Sequence, residues 1–250
     1  MDNCLERLYE LLAAELNCSA DDFTKKENVL TVSALNAGRR AYSPERYFFH
    51  MATTGRNAVI TADERLHGFL AQYKERCEGY RLFTLPELAG LSRELEKYGY
   101  RLTETYHMFL PCRRAEPQRD YAVRWFTGEE LRRFYGDSRF PNALCPQYTP
   151  ERPDTAAVCA YDGEEIMGMA GCSEDAKGWQ QIGVDVMPQY RSMGVGTYLV
   201  TLLKNRIEDA GDIAFYGTGV SNYHSWNIAI NSGFRPAWLE IGAERARDKA

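Results

Sequence analysis

The fold is decided by the stretch Val186-Met187-Pro188-Gln189-Tyr190-Arg191-Ser192-Met193-Gly194-Val195-Gly196. In the residues that lead into this stretch, Ile182–Val186, apolar residues alternate with glycine and aspartate, which is the period of a half-buried strand. After the stretch, apolar residues recur at helical spacing until Ala210-Gly211-Asp212 ends the helix. The sequence therefore predicts a strand over 181–187, a glycine-containing turn, and a helix over 195–210.

This turn is suited to binding an anion. The first N–H groups of a helix have no internal partner, the helix dipole adds partial positive charge, and Gly194 and Gly196 leave room for a phosphate. A P-loop would need a lysine after its last glycine, where Thr197 stands. A dinucleotide fingerprint would need a third small residue where Leu199 stands. Both of these phosphate-binding motifs therefore fit poorly.

A third motif fits better. Pro188 followed by Arg191-x-x-Gly194-x-Gly196 resembles the pyrophosphate loop of the GNAT acyltransferases, which bind acyl-coenzyme A. The segment Asn222–Phe234 resembles the closing helix of that family, with Gly233 as a left-handed residue at the helix end and Phe234 as the apolar contact behind it. The resemblance covers roughly residues 120–250 and does not extend to the first half.

The resemblance implies an acyl-CoA-dependent N-acyltransferase, most simply an acetyltransferase, in which an amine attacks the thioester of acetyl-CoA directly. Backbone groups near Val186 and Met187 would then pair with the pantetheine arm and polarise the thioester, and Arg191 would add a charge-assisted contact to the pyrophosphate. The residues that the resemblance assigns to the cosubstrate are Val186, Met187, Arg191, Ser192, Met193, Gly194, Val195, Gly196, Thr197, Asn222 and Ser225. For Asn222, a plain helix cap is an equal alternative.

The chain departs from the family at the catalytic positions. Many members carry a tyrosine acid four residues before the glycine of the Gly-Phe pair, where this chain has Ala229, and Gln180 stands near the position of a glutamate base. The catalytic residues are therefore unknown, and the candidates are Tyr223, Ser225 and Asp185. Other carboxylates that could act as bases are Glu174, Asp175 and Glu240. The alternatives left open are a catalytically silent acyl-CoA-binding regulatory protein and a nucleotide-binding module.

Composition limits the function classes. The chain has 250 residues, 44% of them hydrophobic, with 30 basic and 35 acidic residues and a formal net charge of −5, which argues against a nucleic-acid partner. No apolar run is long enough for a membrane span. The seven cysteines are scattered and the four histidines lie far apart, so we expect reduced thiols and no metal. We expect a cytoplasmic protein that acts on a small-molecule or peptide amine, with a homodimer left open.

We predict an α/β (α+β) fold in which a mixed, mostly antiparallel GNAT-like sheet flanked by helices follows a second, smaller α/β domain. The predicted domains are an N-terminal α/β domain at 1–111, which could be a degenerate GNAT-like copy, a linker at 112–119, and a catalytic GNAT domain at 120–250. Helices are predicted at 1–16, 64–77, 87–98, from 128, and at 223–232, and strands at 57–61, 101–109, 121–127, 155–161, 165–172, 213–217 and 235–241. An irregular connection is predicted at 136–154.

Overall fold

The computed structural model describes residues 2–246, and side chains from residue 4 onward, so Met1 of the predicted first helix lies outside the described residues. The described chain divides into two compact units, one of residues 2–107 with 237–246 and the other of residues 108–236. Within the described residues, no helix is both long and apolar enough to cross a membrane. All seven cysteines carry free thiols.

The first unit combines three α-helices with five strands. Its α-helices are α1 (Asp2–Leu16), α2 (His67–Tyr73) and α3 (Leu85–Glu96). Its strands are β1 (Val29–Val32), β2 (Phe49–Thr53), β3 (Ala58–Ala62), β4 (Tyr100–Leu102) and most of β11 (Phe234–Arg245). Short 3-10 helices lie at Ala20–Thr24, Glu64–Leu66 and Gly79–Phe83.

The strands of the first unit run in the order β1-β3-β2-β11. The β1–β3 pair is parallel, while β2 pairs antiparallel with both β3 and β11, and β4 pairs antiparallel with β11. All residues of β2 and β3 are buried, and Leu70 of α2 and Leu91 and Leu95 of α3 pack into the same apolar cluster. This buried cluster is the core of the first unit.

The second unit holds the glycine-containing turn at 186–196. Its α-helices are α4 (Val195–Asp209) and α5 (Tyr223–Asn231). Its strands are β5 (Tyr106–Pro111), β6 (Ala122–Thr127), β7 (Asp154–Asp162), β8 (Glu165–Ala176), β9 (Trp179–Val186) and β10 (Ile213–Gly219). The first two residues of β5 belong to the first unit. Two 3-10 helices lie at Gly128–Phe134 and Pro188–Tyr190.

The strands of the second unit run in the order β5-β10-β9-β8-β7-β6. Pairing is antiparallel from β6 through β9, and β9 and β10 are parallel. The buried residues Leu199, Leu203 and Ile207 of α4 pack onto one face of this sheet, and each such side chain contributes about 2 kcal/mol of burial free energy. The predicted class, a mixed and mostly antiparallel sheet flanked by helices, is confirmed.

The segment 112–119, predicted as a linker, lies against α4. The buried Lys204 ammonium donates to the Arg113 carbonyl at 3.2 Å, and the Asn205 amide donates to the Ala115 carbonyl at 2.9 Å. Polar residues of α4 that the sequence places between apolar positions therefore hold this segment in place. The division into independent domains at 1–111 and 120–250 stays a prediction.

Two first-unit elements differ from the predictions. The strand predicted at 101–109 is two strands, β4 and β5, separated by residues 103–105, which are not in a strand. The helix predicted at 64–77 is a short 3-10 turn followed by α2, which ends at Tyr73. Alternation of apolar residues did not reveal either interruption.

Candidate functional site

The site begins where two parallel strands separate. β9 and β10 are paired from Trp179 opposite Ile213 to Ile182 opposite Tyr216, and there the pairing ends. Both strands continue, β9 to Val186 and β10 to Gly219. Within the described residues, the edge of β9 beyond Ile182 is therefore not paired with the edge of β10 beyond Tyr216. Unpaired strand edges are where an extended ligand with amide groups can bind.

The opened strand β9 leads directly to the glycine loop. Arg191, Ser192, Met193 and Gly194 are exposed, while the following helix α4 begins with buried residues. Gly194 has φ +85° and Ser192 has φ +64°, a left-handed conformation that turns successive N–H groups toward one side. No side chain within the described residues caps α4. The first N–H groups of α4, which no side chain caps, therefore lie directly behind the exposed residues 191–194.

Aromatic hydroxyls hold this loop in shape. The Tyr121 hydroxyl donates to the Met193 carbonyl at 2.8 Å, and the Tyr198 hydroxyl donates to the Tyr121 carbonyl at 3.1 Å. The two rings meet edge to face with centroids 5.4 Å apart. The loop is thus anchored to α4 and to the residue that precedes β6.

Two arginines flank the loop. The Arg191 guanidinium lies 3.4 Å from the Val186 carbonyl, at the end of β9. A methyl group built on Gly194 would lie 3.4 Å from Nε of Arg119, an exposed residue of the segment predicted as a linker. Sequence reasoning missed Arg119 because its proximity to the loop arises from the path of residues 112–119. The loop therefore combines free amides with two cations, which suits a pyrophosphate.

Gly196 has a packing role as well. A methyl group there would stand 2.9 Å from Cδ1 of Ile228 on α5 and 3.4 Å from Cγ2 of Val186. Such a contact is tighter than an ordinary van der Waals distance, so the glycine allows α4 to approach α5 and β9 closely. Gly194, by contrast, is exposed, and a methyl group there would meet only the Arg119 side chain, at 3.4 Å.

Met187 does not match its expected role. Its N–H donates to the Met167 carbonyl at 2.9 Å, and its carbonyl accepts from the Tyr190 N–H at 2.9 Å. The residue therefore has no free backbone donor for a pantetheine arm or a thioester, contrary to the sequence-based expectation. Such a donor must come from the opened edge of β9 before Met187.

The start of α5 carries three of the predicted residues. The Asn222 side chain accepts from the Ser225 N–H at 3.2 Å, so it serves as the helix cap. Tyr223 is 72% exposed. The Ser225 hydroxyl lies 2.7 Å from the hydroxyl of Tyr216, a buried residue of β10 that sequence reasoning did not select. Ala229 is fully buried on the same helix.

Asp185, a candidate base, holds a loop. Its carboxylate accepts from the Asn142 N–H at 2.8 Å, from the Asn142 side-chain amide at 2.6 Å and from the Ala143 N–H at 2.9 Å. These bonds tie the irregular connection before β7 to the face of the sheet opposite α4. The structure therefore gives this carboxylate a positioning role at the separated strands.

The other candidate bases are also engaged. The Glu174 side chain accepts from the Gly178 N–H, and the buried Asp175 pairs with Arg152 at 2.6 Å. The Gln180 amide accepts from the Thr155 hydroxyl and donates to Asp212. Glu240 belongs to the first unit, where it is buried against Arg40. In the described structure, each of the three carboxylates is thus engaged by another group, and Gln180, a neutral amide, cannot accept a proton.

Comparison with known proteins agrees with this geometry. Residues 104–234, just over half of the chain, match the model of the acetyltransferase (GNAT) family. The chain belongs to the GNAT acetyltransferase family. Among curated proteins, no match was found.

Solved structures provide distant resemblances. A GNAT-family acetyltransferase from Novosphingobium aromaticivorans is 14% identical with a TM-score of 0.47, over 58% of this chain and 66% of that one. A GCN5-related N-acetyltransferase from Sphaerobacter thermophilus is 14% identical with a TM-score of 0.48, over 100% and 95% of the two chains. The protein yncA from Salmonella typhimurium, solved with its cofactor acetyl-CoA, is 16% identical with a TM-score of 0.31, over 38% and 66%. The chain thus spans slightly less than two thirds of the first and third of these.

Proposed function

We propose that the protein is an acyl-CoA-dependent N-acyltransferase that moves an acetyl group from acetyl-CoA to an amine. The observation that carries the proposal is the opening between β9 and β10, which runs from Ile182 and Tyr216 directly to the loop at Arg191–Thr197. An extended arm and a pyrophosphate at its end would find unpaired strand edges and free helix N–H groups in one continuous path. Membership of the GNAT family supports the same cosubstrate.

The residues present fit acetyl-CoA. Gly194 leaves the loop surface open to a phosphate, the N–H groups at the start of α4 are donors, and Arg191 and Arg119 supply positive charge. When bound, acetyl-CoA would supply an activated thioester. The opened edge of β9 over Gly183–Val186 would orient the arm and offer an N–H to the thioester oxygen. Holding the two reactants together in this way removes a large part of the barrier.

The acceptor is an amine that enters the opening, where the nitrogen attacks directly and no acyl-enzyme forms. The proton of the amine passes to water, since the candidate carboxylates near β9, Asp185 and Glu174, are engaged in other contacts. We propose a small-molecule or peptide amine as acceptor, in the cytoplasm, with neither nucleic acid nor membrane as partner. A homodimer is compatible with this function.

A second function is favoured by two specific observations. Ala229 is fully buried and cannot give a proton, and the Gln180 amide is fixed between Thr155 and Asp212. These features suit a catalytically silent acyl-CoA-binding regulatory protein. Release of free thiol from acetyl-CoA in the presence of a broad panel of amines separates the two functions, because a silent protein would bind the cosubstrate and release none.

Calorimetry with a charge-reversed loop tests the proposed binding site. Arg191→Glu should lower the affinity for coenzyme A by thirtyfold or more, since it removes a charge-assisted contact worth about 2 kcal/mol and adds repulsion. Lys177→Glu is the matched control because Lys177 is exposed and precedes the far end of β9, roughly 25 Å away along the strand. Equal affinity in both variants would contradict the assignment of the loop.

A further inference from the structure

A cavity of about 320 Å³ lies at one end of the sheet in the first unit. β1 and β3 run parallel and end together, at Val32 opposite Ala62, and the residues that follow them, Ser33 and Asp63, both line the cavity. The carboxyl ends of neighbouring parallel strands are a usual place for ligand crevices, and this volume is within the range of small-molecule sites. All of the lining residues belong to the first unit.

One wall of the cavity is aromatic. The rings of Phe48 and Tyr100 stack with their centroids 3.8 Å apart and an angle of 5° between their planes. The guanidinium of Arg65 lies 5.0 Å from the centroid of the Phe48 ring and bonds the Asp63 carboxylate at 2.7 Å. The charges of Arg65 and Asp63 therefore offset each other, and the stacked rings provide apolar surface for the methylene groups of a ligand.

Two lining residues carry hydroxyl groups without a partner. Ser33 is 3% exposed, and its Oγ, like the hydroxyl oxygen of Tyr47, is buried with no hydrogen-bond partner among the described residues. The Tyr47 ring stacks on the His50 ring with centroids 4.7 Å apart, and burial raises the pKa of Tyr47 well above its ordinary value. Both hydroxyls therefore keep a proton that they can donate. Buried hydroxyls are nearly always hydrogen-bonded, and a polar group of a bound molecule would satisfy these two.

Three further lining side chains are charged. Glu45, Arg46 and Glu64 are exposed, and within the described part of the chain none of them forms an ion pair. The hydrogen bond from Arg65 is the main cause that lowers the pKa of Asp63, and the charge of Arg46 adds to it, so Arg46 lies near the Asp63 carboxylate. With Asp63 and Arg65 paired, the cavity has one cation and two carboxylates for a ligand. A molecule with one carboxylate and two ammonium groups matches this set.

We propose that the cavity is a binding site for a free basic α-amino acid, of which lysine is the simplest example. The carboxylate of the ligand accepts hydrogen bonds from Arg46 and from the hydroxyls of Ser33 and Tyr47. Its two ammonium groups pair with Glu45 and Glu64, and its methylene chain lies against the stacked aromatic rings. The first unit thus has a ligand of its own, and this inference does not depend on the proposed function.

Calorimetry on the full chain without acetyl-CoA tests this proposal with four matched ligands. Free lysine should bind, while norleucine lacks the side-chain ammonium, ε-aminocaproate lacks the α-ammonium and cadaverine lacks the carboxylate. Each of these three compounds should bind at least tenfold more weakly than lysine, because a charged group of the cavity loses its partner. Absence of lysine binding, or equal affinity for lysine and any of the three, would overturn the proposal.

Substitutions at the cavity test where the lysine binds. Arg46→Met should lower the affinity for lysine tenfold or more. Arg56→Met is the matched control and should leave the affinity unchanged, since Arg56 is also exposed but lies between β2 and β3, at the other end of these strands. Ser33→Ala should lower the affinity threefold or more. Without lysine, its free energy of unfolding should stay constant or rise, because the variant removes an unpartnered hydroxyl.

An unchanged affinity for lysine in both Arg46→Met and Ser33→Ala would mean that lysine binds elsewhere and would overturn the proposal. Coenzyme A binding, measured in parallel, tests the proposed function separately, because the loop at Arg191–Thr197 lies in the second unit.

Discussion

The carboxylate of Asp185 accepts a hydrogen bond from the backbone N–H of Asn142 at 2.8 Å, across 43 residues of sequence. This contact brings the irregular connection before β7 onto the sheet beside the opening. Two glycines make room for it: a methyl group on Gly183 would stand 1.8 Å from the Asn142 carbonyl oxygen, and one on Gly171 would stand 2.1 Å from that of Ala143. The connection therefore forms a fixed wall on one face of the separated strands.

The first prediction concerns this contact. Asp185→Asn should lower the free energy of unfolding by about 2 kcal/mol, because an amide cannot accept from all the donors that the carboxylate holds. Thermal and denaturant unfolding would measure the loss. Asp137→Asn, which breaks only a local contact with Arg139, should cost at most about 1 kcal/mol. An unchanged stability combined with lost turnover would instead make Asp185 a catalytic base.

A second prediction concerns the buried ion triad of the first unit. Arg40 is fully buried and bonds Glu15 at 2.6 Å and Glu240 at 2.7 Å. Arg40→Met should destabilise the protein by about 3–5 kcal/mol, because two buried carboxylates lose their cation. Arg101→Met breaks the half-exposed pair with Glu244 and should cost about 1 kcal/mol or less in the same unfolding assay. Similar losses in the two variants would contradict the importance of burial.

The pH dependence of stability follows from the same triad. Burial raises the pKa of Glu240, but the charges of Arg40 and His50 and two hydrogen bonds outweigh it, so the pKa lies below its ordinary value. The stabilisation is therefore present above the unfolded pKa of about 4.3 and is lost as pH falls through the folded pKa. In Arg40→Met, Arg40 no longer offsets the effect of burial, which raises the pKa of Glu240. The free energy of unfolding should therefore rise on acidification from pH ~7 to ~5. A parallel pH profile in the two proteins would contradict this explanation.

The two ends of α4 offer a matched pair of glycines. Gly194 precedes the helix with φ +85°, and Gly211 follows it with φ +87°. Alanine at either position should cost about 1–2 kcal/mol of backbone strain. Only Gly194→Ala places a methyl group on the loop surface, so only this variant should lose tenfold or more in coenzyme A affinity by calorimetry. Equal affinities would show that the phosphate does not approach Gly194.

The loop anchor gives a fifth prediction. Tyr121→Phe removes the hydrogen bond to the Met193 carbonyl while keeping the ring contact with Tyr198. Coenzyme A affinity should fall about threefold to tenfold, since roughly 1 kcal/mol of preorganisation is lost. Tyr148→Phe, at a half-exposed ring, should leave the affinity unchanged. An effect on unfolding without an effect on binding would limit Tyr121 to a structural role.

The sequence predicted the parts of the site that local chemistry determines. A glycine was expected to end α5 in the left-handed conformation, and Gly233 has φ +89°. Asn222 was expected either to cap α5 or to contact the cosubstrate, and the structure shows the cap. These features depend on neighbours within a few residues, so a single sequence is enough to reveal them.

The rest of the site depends on contacts between distant segments. Nothing in the local pattern brings the Tyr216 hydroxyl to Ser225, Arg119 to Gly194, or the Met187 N–H to Met167. Each of these contacts requires the strand order and the register of β8, β9 and β10. Sequence periodicity identifies those strands but does not specify which residues they bring together.

A crystal structure of the protein with coenzyme A would test the proposed binding path most directly. We expect the pyrophosphate on the N–H groups of Ser192–Thr197 near Arg191, and the pantetheine arm between the separated ends of β9 and β10. The sulfur should lie at the inner end, where the pairing of Ile182 with Tyr216 ends. Coenzyme A bound elsewhere, with β9 and β10 unoccupied between Ile182 and Val186, would contradict it.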